Sequence, residues 1–255
     1  MGTNLLAGDT ALVTGGGNGI GKGIALALAA DGARVVFADV DADKGRATEA
    51  EARAAGLDAT FVLADLRADA GCKALWATTL DRLGSLSILV HCASPRRREV
   101  DTVLTVDDDT WDAMIDVNLR AGFRLGRDAG KHMVERKIHG RILYLTSLHA
   151  ETPRNLPHYS AAKAGTTMVM KELARQFGPD GIRVNAIAPG AIPGGGFQGL
   201  PDIVRDIPLG RVGTPDDIAQ MAVAMLSERF GRYVTGTTVA VDGGLALITW
   251  IPKPA

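Results

Sequence analysis

The sequence predicts an α/β fold in which one doubly wound parallel β-sheet carries helices on both faces. Short apolar runs alternate with longer amphipathic segments along most of the chain, a pattern typical of parallel strands joined by helices. Two of the runs, Ile-Leu-Val at 88–90 and Ile-Leu-Tyr-Leu at 142–145, are continuously apolar, as buried parallel strands are. The length of 255 residues fits a single domain over 1–255.

The elements follow in chain order from this alternation. Strands are predicted at residues 11–14, 34–39, 59–63, 88–92, 141–146, 183–187 and 238–241. Helices are predicted over 20–31 and 42–55, and helical segments lie between most of the later strands. The one long stretch rich in Gly and Pro is 193–208. Because it follows a strand, we interpret about 190–210 as a flexible substrate lid, with a plain surface loop as the alternative.

Composition narrows the class of protein. The net charge of −1 and the 22% of charged residues argue against a nucleic-acid binder. No apolar run is long enough to span a bilayer, and residues 1–9 lack the pattern of a signal peptide. Cys72 and Cys92 form neither a disulfide framework nor the paired spacing of a zinc site. We therefore expect a soluble cytoplasmic protein that holds no metal and binds neither nucleic acid nor membrane.

A glycine-rich turn joins the first strand to the first helix. Residues 14–21 read Thr-Gly-Gly-Gly-Asn-Gly-Ile-Gly, which places Gly15, Gly19 and Gly21 in a Gly-x-x-x-Gly-x-Gly spacing. Glycine adopts the positive φ of a tight turn and lets a pyrophosphate approach the backbone amides and the positive end of the helix. Such a turn alone is weak evidence, but a strand before it and a helix after it are typical of a dinucleotide site.

Asp39, which ends the second predicted strand, indicates the cofactor. A carboxylate there can accept hydrogen bonds from both adenosine ribose hydroxyls and would repel a 2′-phosphate. No Arg or Lys lies among 15–21 or directly after Asp39, so we expect NAD rather than NADP. The alternative is a cap on the following turn, which Asp41 and Asp43 could supply equally well. Asp65 is a candidate for the adenine edge or, equally, for a helix N-cap.

Tyr159 and Lys163 are candidates for acid–base chemistry. Their spacing of four places both on one face of a helix, where an ammonium favours the phenolate form of a phenol. The pair alone is weak evidence, because many exposed helices carry it. Ser147 strengthens it, since its hydroxyl should lie at the carboxyl edge of the sheet and polarise a substrate oxygen. Asn118, in a preceding helical segment, could hold a water or be a structural amide.

In combination these features resemble the short-chain dehydrogenase/reductase family over nearly the full length. The matching positions are residues 14–21, Asp39, Asp65, Asn118, Ser147, Tyr159, Lys163, Pro189, Gly190 and residues 241–244. The resemblance implies a Rossmann fold and hydride transfer between an alcohol or carbonyl carbon and a nicotinamide. Tyr159 would be the acid/base and Lys163 would bind the nicotinamide ribose. Ser147 would hold the substrate oxygen, and Asn118 would position a relay water.

The resemblance also implies a set of cofactor contacts around the turn, the strand ends and the catalytic helix. These are Gly15, Asn18, Gly19, Ile20, Gly21, Asp39, Asp65, Leu66, Ala93, Tyr159, Lys163, Pro189, Gly190 and Ile192. Ile192 would reach the nicotinamide amide through its backbone. A homotetramer, or a homodimer, is implied through the helices at 118–135 and 159–178. The apolar residues 245–251 could be a further interface or a core strand.

The chain departs from the family pattern at two places. His91-Cys-Ala-Ser94 stands where the family usually has Asn-Asn-Ala-Gly. We interpret His91 as a structural substitute for an amide, and Ser94 restricts φ. Gly194 replaces a frequent Thr that bonds the nicotinamide amide. The arginine run 96–98 is interpreted as a solvated charge run, although it would favour an anionic substrate if it bent into the site.

The substrate pocket is expected from residues 94–98, 148–156 and 190–205. His149 and Glu151 could bond a polyhydroxylated substrate, with Ser147 and Tyr159 holding the reacting oxygen. Residues 149–163 are similar to those of bacterial glucose 1-dehydrogenases, which favours a sugar or polyol. A 3-oxoacyl thioester reductase is the alternative, although it would usually prefer NADP. A nucleotide-binding sensor or scaffold without catalysis is an alternative of another class.

Overall fold

The computed structural model describes residues 4–98, 100–193 and 203–247. Within them the chain forms a parallel sheet of seven strands in the order β3-β2-β1-β4-β5-β6-β7. The strands are β1 Thr10–Thr14, β2 Arg34–Asp39, β3 Ala59–Leu63, β4 Ile88–His91, β5 Arg141–Leu145, β6 Arg183–Pro189 and β7 Thr238–Val241. The predicted doubly wound parallel sheet is confirmed. The ends of each predicted strand lie within two residues of the ends of the corresponding observed strand.

Helices cover both faces of this sheet. They are α1 Gly19–Ala30, α2 Ala42–Ala54, α3 Asp69–Leu83, α4 Asp108–Met114, α5 Ala121–Arg136, α6 Pro157–Phe177, α7 Ile203–Asp206, α8 Pro215–Leu226 and α9 Glu228–Gly231. A π-helical turn, Ile115–Arg120, joins α4 to α5. No helix in the described ranges is long and apolar enough to cross a bilayer.

Two apolar cores form because successive strand side chains point to opposite faces of the sheet. In β1, Val13 packs with Ile24 of α1 and Ile218 of α8. Its neighbour Leu12 faces the other core, with Leu125 of α5 among its members. All five residues of β1 are buried, which is why the buried strands read as nearly continuous apolar runs. The two cores fix the sheet between its helical layers, and the ends of the strands lie outside these cores, where a site can form.

The strand order reverses between β1 and β4, since β2 continues on one side of β1 and β5 on the other side of β4. In open α/β sheets a crevice forms outside the carboxyl ends of the strands at such a reversal. The glycine-rich turn follows β1 at this edge, and the segment that begins with Cys92 follows β4. The fold therefore brings these two segments together.

Two predictions concern segments that the structure describes only in part. Of the predicted lid, residues 194–202 lie outside the described residues, and Gly194 lies outside them too. Of the C-terminal segment, residues 248–251 lie outside them. Residues 245–247 form a 3₁₀ turn, so the strand alternative is wrong there. Leu245 packs against Ala191 and Ile207.

Candidate active site

A cleft of about 700 Å³ opens at the carboxyl edge of the sheet. It brings together most of the predicted site residues: Gly15, Asn18, Gly19, Ile20, Gly21, Asp39, Ser147, His149, Tyr159, Lys163, Pro189, Gly190 and Ile192. Four other predicted residues, Asp65, Leu66, Ala93 and Asn118, are not among its lining residues. Glu151 is exposed and does not line the cleft either. The cleft thus joins the glycine-rich turn to the Tyr–Lys helix.

The glycine-rich turn needs its glycines for two different reasons. Gly15 has φ +71°, a conformation that favours glycine. Gly21 has no positive φ, but a Cβ there would lie 2.0 Å from the carbonyl oxygen of Gly15. The turn also packs on the chain after β4, because a Cβ on Gly15 would lie 2.8 Å from the Cα of Ala93. The backbone of Ala93 therefore packs directly against the turn.

Asp39 fastens this turn at the end of the cleft nearest β2. Its Oδ2 accepts a hydrogen bond from the amide of Gly17 at 2.8 Å, and its Oδ1 accepts one from the amide of Asp41 at 3.0 Å. The N-cap of α2 is Asp41, whose side chain accepts from the amides of Asp43 and Lys44. Asp39 therefore caps the turn that follows β2, while Asp41 caps α2, and Asp39 also lines the cleft.

Two cations lie at this end of the cleft: Lys44, which the sequence reasoning missed, and Arg96, which lies in the predicted pocket stretch 94–98 but was interpreted as solvated. Lys44 and Arg96 both line the cleft beside Asp39. The Nζ of Lys44 lies 2.7 Å from Oδ2 of Asp41, and this hydrogen bond raises the Lys44 pKa. The position of Lys44 three residues after a helix cap is a signal that could have found it. Arg96 carries no such signal, since its position depends on the path of the loop after β4.

Asp65 forms a local turn. Its Oδ1 accepts a hydrogen bond from the amide of Arg67 at 2.9 Å. The N-cap of α3 is Ala68, so the N-cap interpretation of Asp65 is wrong. Leu66 is buried in the core beside Cys72, and the Cys72 thiol lies 3.7 Å from the Leu66 carbonyl oxygen. Leu66 is thus anchored by the core beneath α3.

The Tyr–Lys pair lies at the start of α6, which begins with a proline at its first turn. The side chains of Tyr159 and Lys163 are 8% and 4% exposed, and the Lys163 Nζ lies 5.4 Å from the centre of the Tyr159 ring. Lys163 Nζ donates a hydrogen bond to the carbonyl of Leu145 at 2.7 Å. Since Leu145 ends β5, this bond fastens the ammonium to the edge of the sheet.

Ser147 lies two residues beyond the end of β5 and is also buried. Its Oγ accepts a hydrogen bond from the amide of His149 at 3.3 Å. The hydroxyl hydrogen of Ser147 is thereby left to donate to a group in the cleft. Ser147, Tyr159 and Lys163 line one cavity, which brings a hydroxyl, a phenol and an ammonium to one side of it.

Asn118 lies on the π-helical turn and is almost fully buried. Its Nδ2 donates to the carbonyl of Met114 at 3.1 Å, whereas its Oδ1 has no hydrogen-bond partner. A buried carbonyl oxygen of this kind is usually satisfied by a protein group or an ordered water. The π-helical turn was not predicted, although such turns are frequent at functional sites.

His91 joins β1, β4 and the π-helical turn. Its Nδ1 lies 3.0 Å from Oγ1 of Thr14, and its Nε2 lies 3.0 Å from the carbonyl of Val117 and 3.2 Å from that of Asn118. Burial, with the nearby Lys163 charge, lowers the His91 pKa to about 4. The ring is therefore neutral, with Nε2 donating to the carbonyls and Nδ1 accepting from Thr14. This geometry matches the structural role expected for His91.

The arginine run after β4 turns into the cleft, so its interpretation as a solvated charge run is wrong for Arg97. The guanidinium carbon of Arg97 lies 4.8 Å from the centre of the Tyr159 ring, a cation–π arrangement. Arg98 instead forms an ion pair with the buried Asp101 at 2.8 Å. Ser94 does not adopt a positive φ, so the loop accommodates a serine where the family usually has glycine.

His149 completes the wall around Tyr159. The two rings meet edge to face with their centres 5.1 Å apart. Burial, together with the charges of Arg97 and Arg154, lowers the His149 pKa to about 4. His149 is therefore neutral at physiological pH. Arg154 also lines the cleft, within the stretch 148–156 that was predicted to form the pocket.

Several known proteins have sequences similar to that of this chain. A family model described as enoyl-(acyl carrier protein) reductase matches residues 15–246. A short-chain reductase protein from Streptomyces niveus is 36% identical over 92% of this chain and 93% of its own length. Glucose 1-dehydrogenase 2 from Bacillus subtilis is 34% identical over 95% and 96%.

Solved structures agree with these sequence matches. A putative gluconate dehydrogenase from Agrobacterium tumefaciens superimposes with a TM-score of 0.89 at 31% identity, over 98% of this chain and all of that one. A 3-ketoacyl-(acyl-carrier-protein) reductase from Brucella melitensis, solved with NADH, gives a TM-score of 0.88 at 32% identity, over 94% and 99%. These similar proteins differ in their named substrates.

Proposed function

The chain belongs to the short-chain dehydrogenase/reductase family of oxidoreductases that act on alcohol and carbonyl groups, and from this premise we propose an NAD-dependent dehydrogenase of sugars or polyols. It would interconvert a secondary alcohol, or sugar hydroxyl, and the corresponding carbonyl. The observation that carries the proposal is the clustering of Ser147, Tyr159 and Lys163 in one cleft with the glycine-rich turn.

The residues of the cleft fit a nicotinamide dinucleotide. A methyl group on Gly15 or Gly21 would collide with neighbouring backbone, so the turn keeps its amides open to a pyrophosphate at the start of α1. Asp39 would bind the adenosine ribose, and Lys163 the nicotinamide ribose. Pro189, Gly190 and Ile192 would hold the nicotinamide end. When bound, the cofactor supplies the hydride acceptor or donor.

Proton transfer falls to the residues of the chain. In the oxidative direction, Tyr159 Oη takes the proton of the substrate hydroxyl, and in reduction it returns it. Lys163, fixed by the Leu145 carbonyl, stabilises the negative phenolate by its charge. Ser147 holds the substrate oxygen through its free hydroxyl hydrogen. The unpartnered Oδ1 of Asn118 supports its role of holding a relay water, with which Tyr159 would exchange its proton through Lys163.

The preference for NAD is proposed on the charge of Asp39. Its carboxylate is held by the amides of Gly17 and Asp41, next to where a 2′-phosphate would lie, and like charges repel. Lys44 is engaged by Asp41 in the same region, which limits its use for a phosphate. We keep Asp65 and Leu66 as proposed contacts of the adenine and Ala93 as a proposed backbone contact.

The sugar or polyol class is supported by the similarity to glucose 1-dehydrogenase 2 and by the polar groups of Ser147 and His149 beside Tyr159. A 3-oxoacyl thioester reductase is the second candidate, favoured by the structural similarity to the Brucella reductase. A sensor that binds nucleotide without turnover is the candidate of another class, and the buried Tyr–Lys pair argues against it.

A cofactor screen tests the function. NADH and NADPH absorbance would be followed with NAD and NADP against sugars, polyols, secondary alcohols and 3-oxoacyl thioesters. We expect turnover of a sugar or polyol with NAD. Reduction of a 3-oxoacyl thioester alone would support the second candidate, and nucleotide binding with no turnover of any alcohol or carbonyl would support the sensor.

The assembly, the lid and the location in the cell complete the proposal. A homotetramer or homodimer through the helices at 118–135 and 159–178 is expected, and light scattering on the purified protein measures it. Residues 190–210 would cover the substrate. Deletion of residues 196–200 alone leaves Gly190 and Ile192 in place, and it should raise KM more than it lowers NADH affinity. We propose a cytoplasmic enzyme, which fractionation of the source cells would test.

A further inference from the structure

The substrate half of the cleft is lined by cations. Arg97, Arg154 and Lys163 all border the cavity around Tyr159. Among the described residues that line the cleft, the acidic ones are Asp39 and Asp41, and both lie at the adenosine end. At that end Lys44 and Arg96 lie beside the two carboxylates, whereas the charged residues described around Tyr159 are all cations.

Arg97 lies over the ring of the catalytic tyrosine, and Arg154 lines the same cleft. The Arg97 guanidinium stacks over the Tyr159 ring at 4.8 Å, and the His149 ring meets that same ring edge to face. Both arginine charges also lower the His149 pKa. His149 is neutral there, and a neutral ring can donate a hydrogen bond without adding a charge.

Arg154 also has an unmet hydrogen-bonding need. Its Nε is buried and has no hydrogen-bond partner. A buried guanidinium donor beside other cations is costly unless an acceptor satisfies it. An anion bound against Arg154 in the cleft would offset this cost and the repulsion between the cations.

We propose that Arg97 and Arg154 bind an anionic oxygen group of the substrate, and this proposal rests on the proposed dehydrogenase function. The anionic group is a carboxylate or a phosphate, and it lies beside the hydroxyl that faces Tyr159 and Ser147. The substrate class is then an acidic sugar or polyol derivative rather than a neutral one. Guanidinium groups suit this task, because their planar set of donors matches the oxygens of a carboxylate or phosphate.

Binding measurements test the proposal without turnover. The protein, saturated with NADH, is titrated by calorimetry with gluconate, glucose 6-phosphate and glucose. We expect one of the two anions to bind at least about 10-fold more tightly than glucose, since charge-assisted hydrogen bonds give 10- to 100-fold in affinity. The tighter anion identifies a carboxylate or a phosphate as the group. Equal affinity for glucose and both anions overturns the proposal.

Matched variants assign the effect to the two arginines. Arg154→Gln and Arg97→Gln are each expected to lower anion affinity by about 10- to 100-fold. Arg53→Gln removes the same charge from an exposed position on α2 and should leave anion affinity unchanged. If Arg154→Gln does not fold, Arg97→Gln and Arg154→Lys carry the test. Wild-type anion affinity in both glutamine variants overturns the proposal.

Turnover separates this proposal from the function on which it rests. The ratio of kcat/KM for the acid to kcat/KM for its neutral counterpart should fall in Arg154→Gln. If neutral polyols are oxidised as well as their acids in the wild type, the dehydrogenase stands and the anion site is overturned. If anions bind through the arginines while no alcohol is oxidised, the anion site is supported and the proposed function fails.

Discussion

Acidification should destabilise the folded chain through His91. The ring is neutral and fully buried, and burial near Lys163 lowers its pKa to about 4 from the ordinary value of 6.5. Between these two pH values the unfolded chain binds a proton on His91 that the folded chain does not. The free energy of unfolding therefore falls as the pH is lowered from about 6.5 towards 4.

The size of the effect follows from the two pKa values. Linkage gives a loss of about 2 kcal/mol from His91 between pH 7 and pH 5. The variant His91→Asn removes the titrating group and keeps an amide that can bond one of the neighbouring carbonyls. At pH 7 it should cost about 1–3 kcal/mol, because part of the buried hydrogen bonding is lost. Its further loss on acidification should be about 2 kcal/mol smaller than that of the wild type.

Urea unfolding followed by tryptophan fluorescence at pH 7 and pH 5 measures these differences. His139→Asn, a change at an exposed histidine, is the control and should keep the wild-type dependence on pH. The reasoning would be refuted if His91→Asn lost as much stability between pH 7 and pH 5 as the wild type. That result would mean that the folded protein accepts a proton on His91 without a penalty.

Two further substitutions test the cofactor end of the cleft. Asp39→Asn removes the charge beside the ribose. The ratio of kcat/KM with NADP to kcat/KM with NAD should therefore rise at least about 10-fold. An unchanged ratio would mean that Asp39 does not select the cofactor. Gly21→Ala places a methyl group against the Gly15 carbonyl, so it should destabilise the fold by about 1–3 kcal/mol and weaken NADH binding in a fluorescence titration. Lys22→Ala on the same helix is its control, and equal NADH affinity in both variants would contradict the role of the turn.

The strands and the glycine-rich turn could be predicted because their causes are local. A strand buried on both faces, such as β1, is largely apolar along its length. A turn that has a positive φ, as at Gly15, or that leaves no room for a side chain, as at Gly21, must carry glycine. The Tyr–Lys spacing was likewise readable, because one helical turn sets it. In each case the requirement acts within a few residues of the chain.

Features that depend on distant contacts could not be predicted in this way. The direction of Arg97 depends on the path of the loop after β4, which places its guanidinium over the Tyr159 ring of α6. The π-helical turn at Asn118 is stabilised by His91, which lies on β4 and forms hydrogen bonds with two carbonyl oxygens of the turn. Residues 96–98 therefore looked like a solvated charge run, and Asn118 like part of an ordinary helix.

The proposal that Tyr159 is the acid/base of hydride transfer is tested most directly by Tyr159→Phe. Its kcat and its NADH dissociation constant would be compared with those of the wild type and of Tyr233→Phe, a fully exposed tyrosine. We predict that kcat falls at least about 100-fold in Tyr159→Phe, while NADH affinity stays within a few-fold and Tyr233→Phe behaves as the wild type. Turnover by Tyr159→Phe at the wild-type rate would contradict the account.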